Sequence, residues 1–226
     1  MNLRPTPRLI SFGSLSLTIA LVGCANMSQT QQDSAKGAAI GATAGAVIGA
    51  LTGGGKSATK GAVIGAGAGA LGGYIWSQKM QEQKAAMEKA TQGTGIGVSQ
   101  TADNRLKLDI PADAGFAVGR SAISPILAGV LNQFAHTLQQ NTVTQVAIIG
   151  HTDSTGSDAV NNPLSFDRAN SARDYLVGRG GVAATRFATE GRGSREPVAD
   201  NTSAEGRAKN RRVEIYVAEP AGSTSR

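Results

Sequence analysis

One run in the C-terminal third gathers residue types that can do chemistry: Gly150-His151-Thr152-Asp153, then Asn161, Leu164-Ser165 and Arg168-Ala169. The apolar stretch 146–149 ahead of it reads as a buried strand. Asp153 therefore sits past a strand's C-terminal end, where α/β sheets tend to hold ligands. Ser165 is the expected N-cap of a helix over 165–177, which puts Arg168 in its first turn. A cation there opposes the helix dipole, while free amides at the same end welcome an anion. Arg168 then makes most sense with a carboxylate bound between, and Asp153 can hold an ammonium. The pair complements a small zwitterion.

Other chemistries fit less well. A direct Asp153–Arg168 salt bridge without ligand is the plain structural alternative. His151, Asp153 and Ser154 resemble a hydrolase triad only superficially, because neighbours on one short segment cannot easily make successive hydrogen bonds. As metal ligands, His151 and Asp153 lack a third partner at suitable spacing. His136 falls in a helix and reads as exposed. Arg207, Lys209, Arg211 and Arg212 form a basic cluster with no interleaved aromatic for base stacking, so nucleic acid is not an expected partner. The chain is read as non-catalytic, without metal or cofactor.

The elements that must position these groups begin near residue 96. Leu106, Leu108 and Ile110 alternate with polar residues, as in a half-buried strand. Ser124-Pro125 opens a helix as N-cap and first position, and Ile126, Leu127, Val130, Leu131, Phe134 and Leu138 follow at helical spacing. Further strands are expected near 186–190, marked by Phe187, and at Val213, Ile215 and Tyr216-Val217. The order β-α-β-α-β-β describes an α/β sandwich with helices on one face of a mixed sheet.

The N-terminal part is built differently. Arg4 and Arg8 precede an uncharged apolar stretch, 9–22, and then Leu21-Val22-Gly23-Cys24, which reads as a signal peptide over 1–23. This site resembles the lipobox of bacterial lipoproteins, whose Cys becomes the lipidated first residue. Cys24 is the only cysteine, and lipidation would remove a free thiol from an oxidising compartment. The resemblance, with Ala25 rather than Asp after the Cys, implies delivery to the outer membrane. Losing Arg4 and Arg8 takes the formal charge from +6 to +4, which suits anionic lipid or cell wall.

A polar tether over 24–35 leads into two glycine ladders, Gly37, Gly41, Gly45, Gly49, Gly53 and Gly61, Gly65, Gly69, Gly73. Period four lines these glycines along one helix face. Each glycine costs a helix about 0.8–1.0 kcal/mol against Ala, so close helix–helix contact must offset the ladder. Two apolar segments of roughly 25 Å suit a thin membrane better than a thick one. A glycine-zipper helical hairpin over 36–76, with Tyr74 and Trp76 at a membrane interface, is the simplest object; a soluble Ala/Gly-rich segment is the alternative. Gly55-Lys56-Ser57 is not a P-loop, since Ala50 stands where that motif needs Gly. Gly67, Gly69 and Gly72 lack the preceding strand of a dinucleotide fold. Residues 77–95 read as an exposed helix or stiff linker with a thin apolar face, and 219–226 as a tail.

Taken together, Gly150-His151-Thr152-Asp153, Asn161, Leu164-Ser165, Arg168-Ala169, Gly191, Asn201, Gly206-Arg207 and Asn210-Arg211-Arg212-Val213-Glu214 resemble the OmpA-like periplasmic domain, the family that includes the peptidoglycan-associated lipoproteins. The likeness covers about 105–218, within a domain taken as 96–218. It implies non-covalent binding of peptidoglycan, with Asp153 and Arg168 on diaminopimelate of the stem peptide. Thr152, Asn161 and Leu164 would shape the pocket, and Arg212 would assist from the last strand. Many relatives carry Phe-Asp after the first strand, whereas this chain has Phe116-Ala117. The expected role is a lipid-anchored protein tethering the outer membrane to the wall. An oligomeric, membrane-active or pore-forming protein built on the zipper is the alternative, with a wall-cleaving enzyme as a third class.

Overall fold

The computed structural model describes residues 74–220. The signal peptide, Cys24, the tether, the glycine ladders and the tail beyond 220 lie outside the described residues. Five strands form one sheet in the order β1-β2-β5-β3-β4. They are β1 Gly97–Gln100, β2 Leu106–Pro111, β3 Gln145–His151, β4 Phe187–Gly191 and β5 Arg212–Ala218. All neighbours are antiparallel except the parallel pair β3–β4. The helices are α1 Gln78–Ala90, α2 Ala112–Gly115, α3 Pro125–Gln140, α4 Asp158–Gly178 and α5 Ala204–Asn210. The expected β-α-β-α-β-β order is present as β2-α3-β3-α4-β4-β5, with β1, α1, α2 and α5 added to it.

Strand alternation sorts side chains between the two faces. Val146, Ile148, Val213, Ile215 and Val217 join the main core with Leu127, Leu131 and Phe134 of α3 and Ala169, Ala172 and Leu176 of α4. Ala147, Ile149, Tyr216 and Ala218 form a second cluster on the other face. Helix α3 starts as expected: the Ser124 hydroxyl accepts from Leu127 N at 3.1 Å, and Pro125 opens the helix. That hydroxyl also donates to the Ala114 carbonyl at 2.7 Å. Ser124→Ala should therefore cost about 1–2 kcal/mol, read from a urea midpoint shift at constant slope.

Three expectations change. Helix α1 is no linker: Met80 and Met87, spaced two turns apart, are fully buried, and Gln83 donates to Thr137 of α3 at 3.0 Å. Tyr74 packs on the second cluster and Trp76 on the main core, so both belong to the globular domain rather than a membrane interface. Helix α4 begins seven residues before Ser165, with Ser157 as its N-cap residue. Pro163 lies inside it and lacks an N–H. This proline and the polar residues around it hide the first two turns from a pattern reading.

Candidate functional site

The site lies at the C-terminal end of β3, where α4 crosses the sheet. Gly150 and Gly191 are paired in register across β3 and β4. A Cβ on Gly150 would sit 1.9 Å from the Ser165 carbonyl oxygen, and one on Gly191 2.6 Å from Phe166 N. The two glycines make a flat shelf on which the backbone of α4 rests. That contact sets the height of α4 above the strand end, and so the spacing between Asp153 and Arg168. Ser165 does not cap the helix. Its hydroxyl accepts from Gly193 N at 2.9 Å and donates to the Asn162 carbonyl at 2.8 Å, tying the loop after β4 to the helix.

Asp153 is 5% exposed. Its Oδ1 accepts from Thr155 N at 2.9 Å and from the Thr155 hydroxyl. Its Oδ2 accepts from Nη1 of Arg211 at 2.9 Å. Burial alone would raise the acid's pKa, but the Thr155 and Arg211 hydrogen bonds outweigh it and hold Asp153 below the usual carboxylate range. Asn161 fixes this turn, donating to the Thr155 carbonyl at 2.9 Å and to the Asp153 carbonyl at 3.4 Å. It positions the acid rather than offering itself to a ligand. Thr152 is buried, and its N–H donates to the Gly193 carbonyl at 2.9 Å.

Arg168 stands ten residues in from Asp158, not in the first turn of α4. The helix-terminus argument for an anion beside it therefore fails, and a different one replaces it. Arg168 is 3% exposed, its guanidinium lies over the Phe116 ring at 5.5 Å, and its Nε donates to the Arg120 carbonyl at 3.0 Å. Burial lowers its pKa, partly countered by Asp113. Among the described residues, its two terminal nitrogens make no hydrogen bond or ion pair, and Asp153 is not its partner. A buried guanidinium with an open fork is built for a bidentate anion such as a carboxylate. Asn161, Leu164 and Arg168 share one helix face by their spacing, and Leu164 is half-buried.

Arg212 is not part of this site. It lies on the other sheet face, where its Nε donates to Glu214 Oε1 at 2.9 Å. Glu214 also takes Lys107 at 2.9 Å and the Tyr216 hydroxyl at 2.8 Å, and the His151 ring stands 3.7 Å away. His151 thus faces Glu214, not Asp153, and no triad is assembled. The residue missed was Arg211, which bridges Asp153 and Asp113, the latter at 2.8 Å. Alternation along β5 could have found it. Arg211 shares parity with the core-facing Val213 and Ile215, and Arg212 shares it with Glu214 and Tyr216. Arg207 stays structural, closing its loop through the carbonyls of Asn201 and Thr202.

The domain is thus a mixed α/β fold with a buried acid and an open guanidinium at one strand end, groups whose chemistry suits a small charged ligand. Residues 115–211 of the chain match the model of the OmpA family. A YMGG-like Gly-zipper model matches residues 5–81. The probable lipoprotein YiaD of Escherichia coli is 40% identical over 145 residues, 64% of this chain and 65% of that protein. The peptidoglycan-binding protein ArfA of Mycobacterium bovis is 45% identical over 118 residues, 51% of this chain and 36% of that protein. The chain thus spans less than two thirds of either relative. Among solved structures, a cell wall anchor from Pseudomonas aeruginosa superposes with a TM-score of 0.54 at 34% identity, covering 61% of this chain and 96% of that one. A putative MotB-like protein from Desulfovibrio vulgaris gives 0.53 at 26% identity, covering 65% and 94%.

Proposed function

We propose that this domain binds peptidoglycan non-covalently through diaminopimelate of the stem peptide, and that lipid on Cys24 makes the chain a tether between outer membrane and wall. The observation that carries the reading is the open fork of Arg168 beside Asp153. The carboxylate of an amino-acid centre docks on the Arg168 terminal nitrogens, and its ammonium on Asp153. Phe116 and Leu164 border the site with apolar surface. The wall-binding and anchoring relatives support the ligand class. The zipper match and the relative named as a probable lipoprotein support the membrane end.

The test uses the full-length chain in detergent with purified cell-wall sacculi. Asp153→Ala and Arg168→Ala each leave one ligand charge without its partner, which costs about 2 kcal/mol or roughly 30-fold in affinity. Equal sedimentation of wild type and both variants would remove the pocket assignment. Release of soluble wall fragments would instead mark an enzyme.

A further inference from the structure

The Asp153 carboxylate is not waiting empty for an ammonium. Oδ1 is taken by two Thr155 donors, and Oδ2 by Arg211. A carboxylate has about four acceptor positions, so one remains. A ligand ammonium using it would stand beside the like charge of Arg211, and that repulsion opposes binding. Arg211 has a second hold. Nη2 donates to Asp113 Oδ2 at 2.8 Å, and Nε approaches Asp113 Oδ1 at 3.4 Å. It is the more exposed of the two site cations, with its side chain 31% exposed against 3% exposure for Arg168.

We infer that Arg211 is a built-in competitor for Asp153 and that Asp113 is its resting place when ligand is bound. The inference rests on the pocket reading above. In the free protein Arg211 spans both acids and keeps Asp153 ionised and oriented. On binding, the ligand ammonium takes over Asp153 Oδ2, while Arg211 withdraws onto Asp113 as a self-contained neutral pair. Every charge then has one partner: ammonium with Asp153, carboxylate with Arg168, Arg211 with Asp113. Asp113 thereby acts on affinity without touching the ligand, as a positioning residue.

The signs of the mutational effects separate this from a purely structural bridge, which would weaken binding whichever end is cut. Calorimetric titration of the full-length chain with free diaminopimelate should show Arg211→Gln binding roughly tenfold tighter and Asp113→Asn roughly tenfold weaker. The double variant should match Arg211→Gln. The gap between Arg211→Gln and wild type should narrow from 20 to 200 mM salt, because the competing pair is partly exposed. Weaker or unchanged binding by a folded Arg211→Gln, or unchanged binding by Asp113→Asn, overturns the inference. Should Arg211→Gln fail to fold, Arg211→Met replaces it with the same sign expected and the same overturning outcome, because a loss at Asp113→Asn is common to both readings. Asp153→Ala runs alongside: if it alone abolishes binding while the others miss their signs, only this inference falls. If Asp153→Ala binds like wild type, the pocket reading falls as well.

Discussion

Gly150→Ala is expected to cost more than about 3 kcal/mol of folding stability, above the usual 1–3 kcal/mol of overpacking, and to abolish binding at the site. The new Cβ would lie 1.9 Å from the Ser165 carbonyl oxygen and 2.7 Å from its carbon. Both partners are main chain in regular elements, so no side chain can swing aside. Relief requires lifting α4 off β3, which uncovers Ala169, Ala172 and Leu176 of the main core and separates Arg168 from Asp153. The control is Gly129→Ala in α3, where nothing stands within 4 Å of the added methyl. It should leave stability unchanged or raise it by up to about 1 kcal/mol, as helix propensity dictates. Urea midpoints for the two variants and wild type make the comparison.

Glu214→Gln is the second large effect, expected at about 3–5 kcal/mol. Glu214 is 1% exposed and is the acceptor shared by Arg212, Lys107 and Tyr216. The amide keeps the shape and removes the charge, leaving the buried Arg212 guanidinium without a counter-ion and the Lys107 ammonium with only Asp109, at 3.6 Å. Burial pushes the Glu214 pKa up, but His151, Arg212 and Lys107 overcome this and hold it below its ordinary 4.5. A depressed acid stabilises fully above its unfolded pKa and loses that contribution as pH falls through it. His151 is depressed too, chiefly by burial, from 6.5. Its protonation favours the unfolded chain, so stability declines as pH drops below 6.5. Wild-type stability should therefore fall in two phases, gently below about pH 6.5 and steeply below about pH 4.5. Glu214→Gln should be less stable at pH 7, keep the His151 phase and lose most of the steep acid limb, with Asp153 supplying what remains of it. Denaturant titrations between pH 3 and 8 read both limbs.

The main elements were legible because local and global signals agreed. The Ser124-Pro125 start, the alternation of β2 and the apolar run of β3 each state one structure and are found in it. Strand β1 was invisible because its four residues carry little apolar burial; it is an edge held by backbone pairing to β2. Helix α1 was undervalued because only Met80, Gln83 and Met87 turn inward, and a buried Gln looks like surface until Thr137 is opposite it. The places of Asp153 past β3 and of Arg168 on the following helix were readable from type and spacing, whereas the depth of Arg168 within that helix was not. Pro163 disguised two turns of helix, and the open fork depends on Phe116 and Arg120, about fifty residues away. Arg211, the last cap residue before β5, and Arg212, its first residue, point to opposite sides, and a basic run read as a cluster erases that difference.

The placement of β5 has a consequence for how the domain comes into being. The last strand of the chain is the middle strand of the sheet, joining β2 on one side and β3 on the other. Until Arg212–Ala218 arrives, β1–β2 and β3–β4 are two separate ribbons whose inner edges face open, and such edges invite pairing with other chains. Val217 must find Leu106 across about three quarters of the described sequence and Val146 across about half of it. Such distant pairings make folding slow. The domain thus stays unclosed until β5 is made, and a truncation that reaches into Arg212–Ala218 removes the keystone of the sheet.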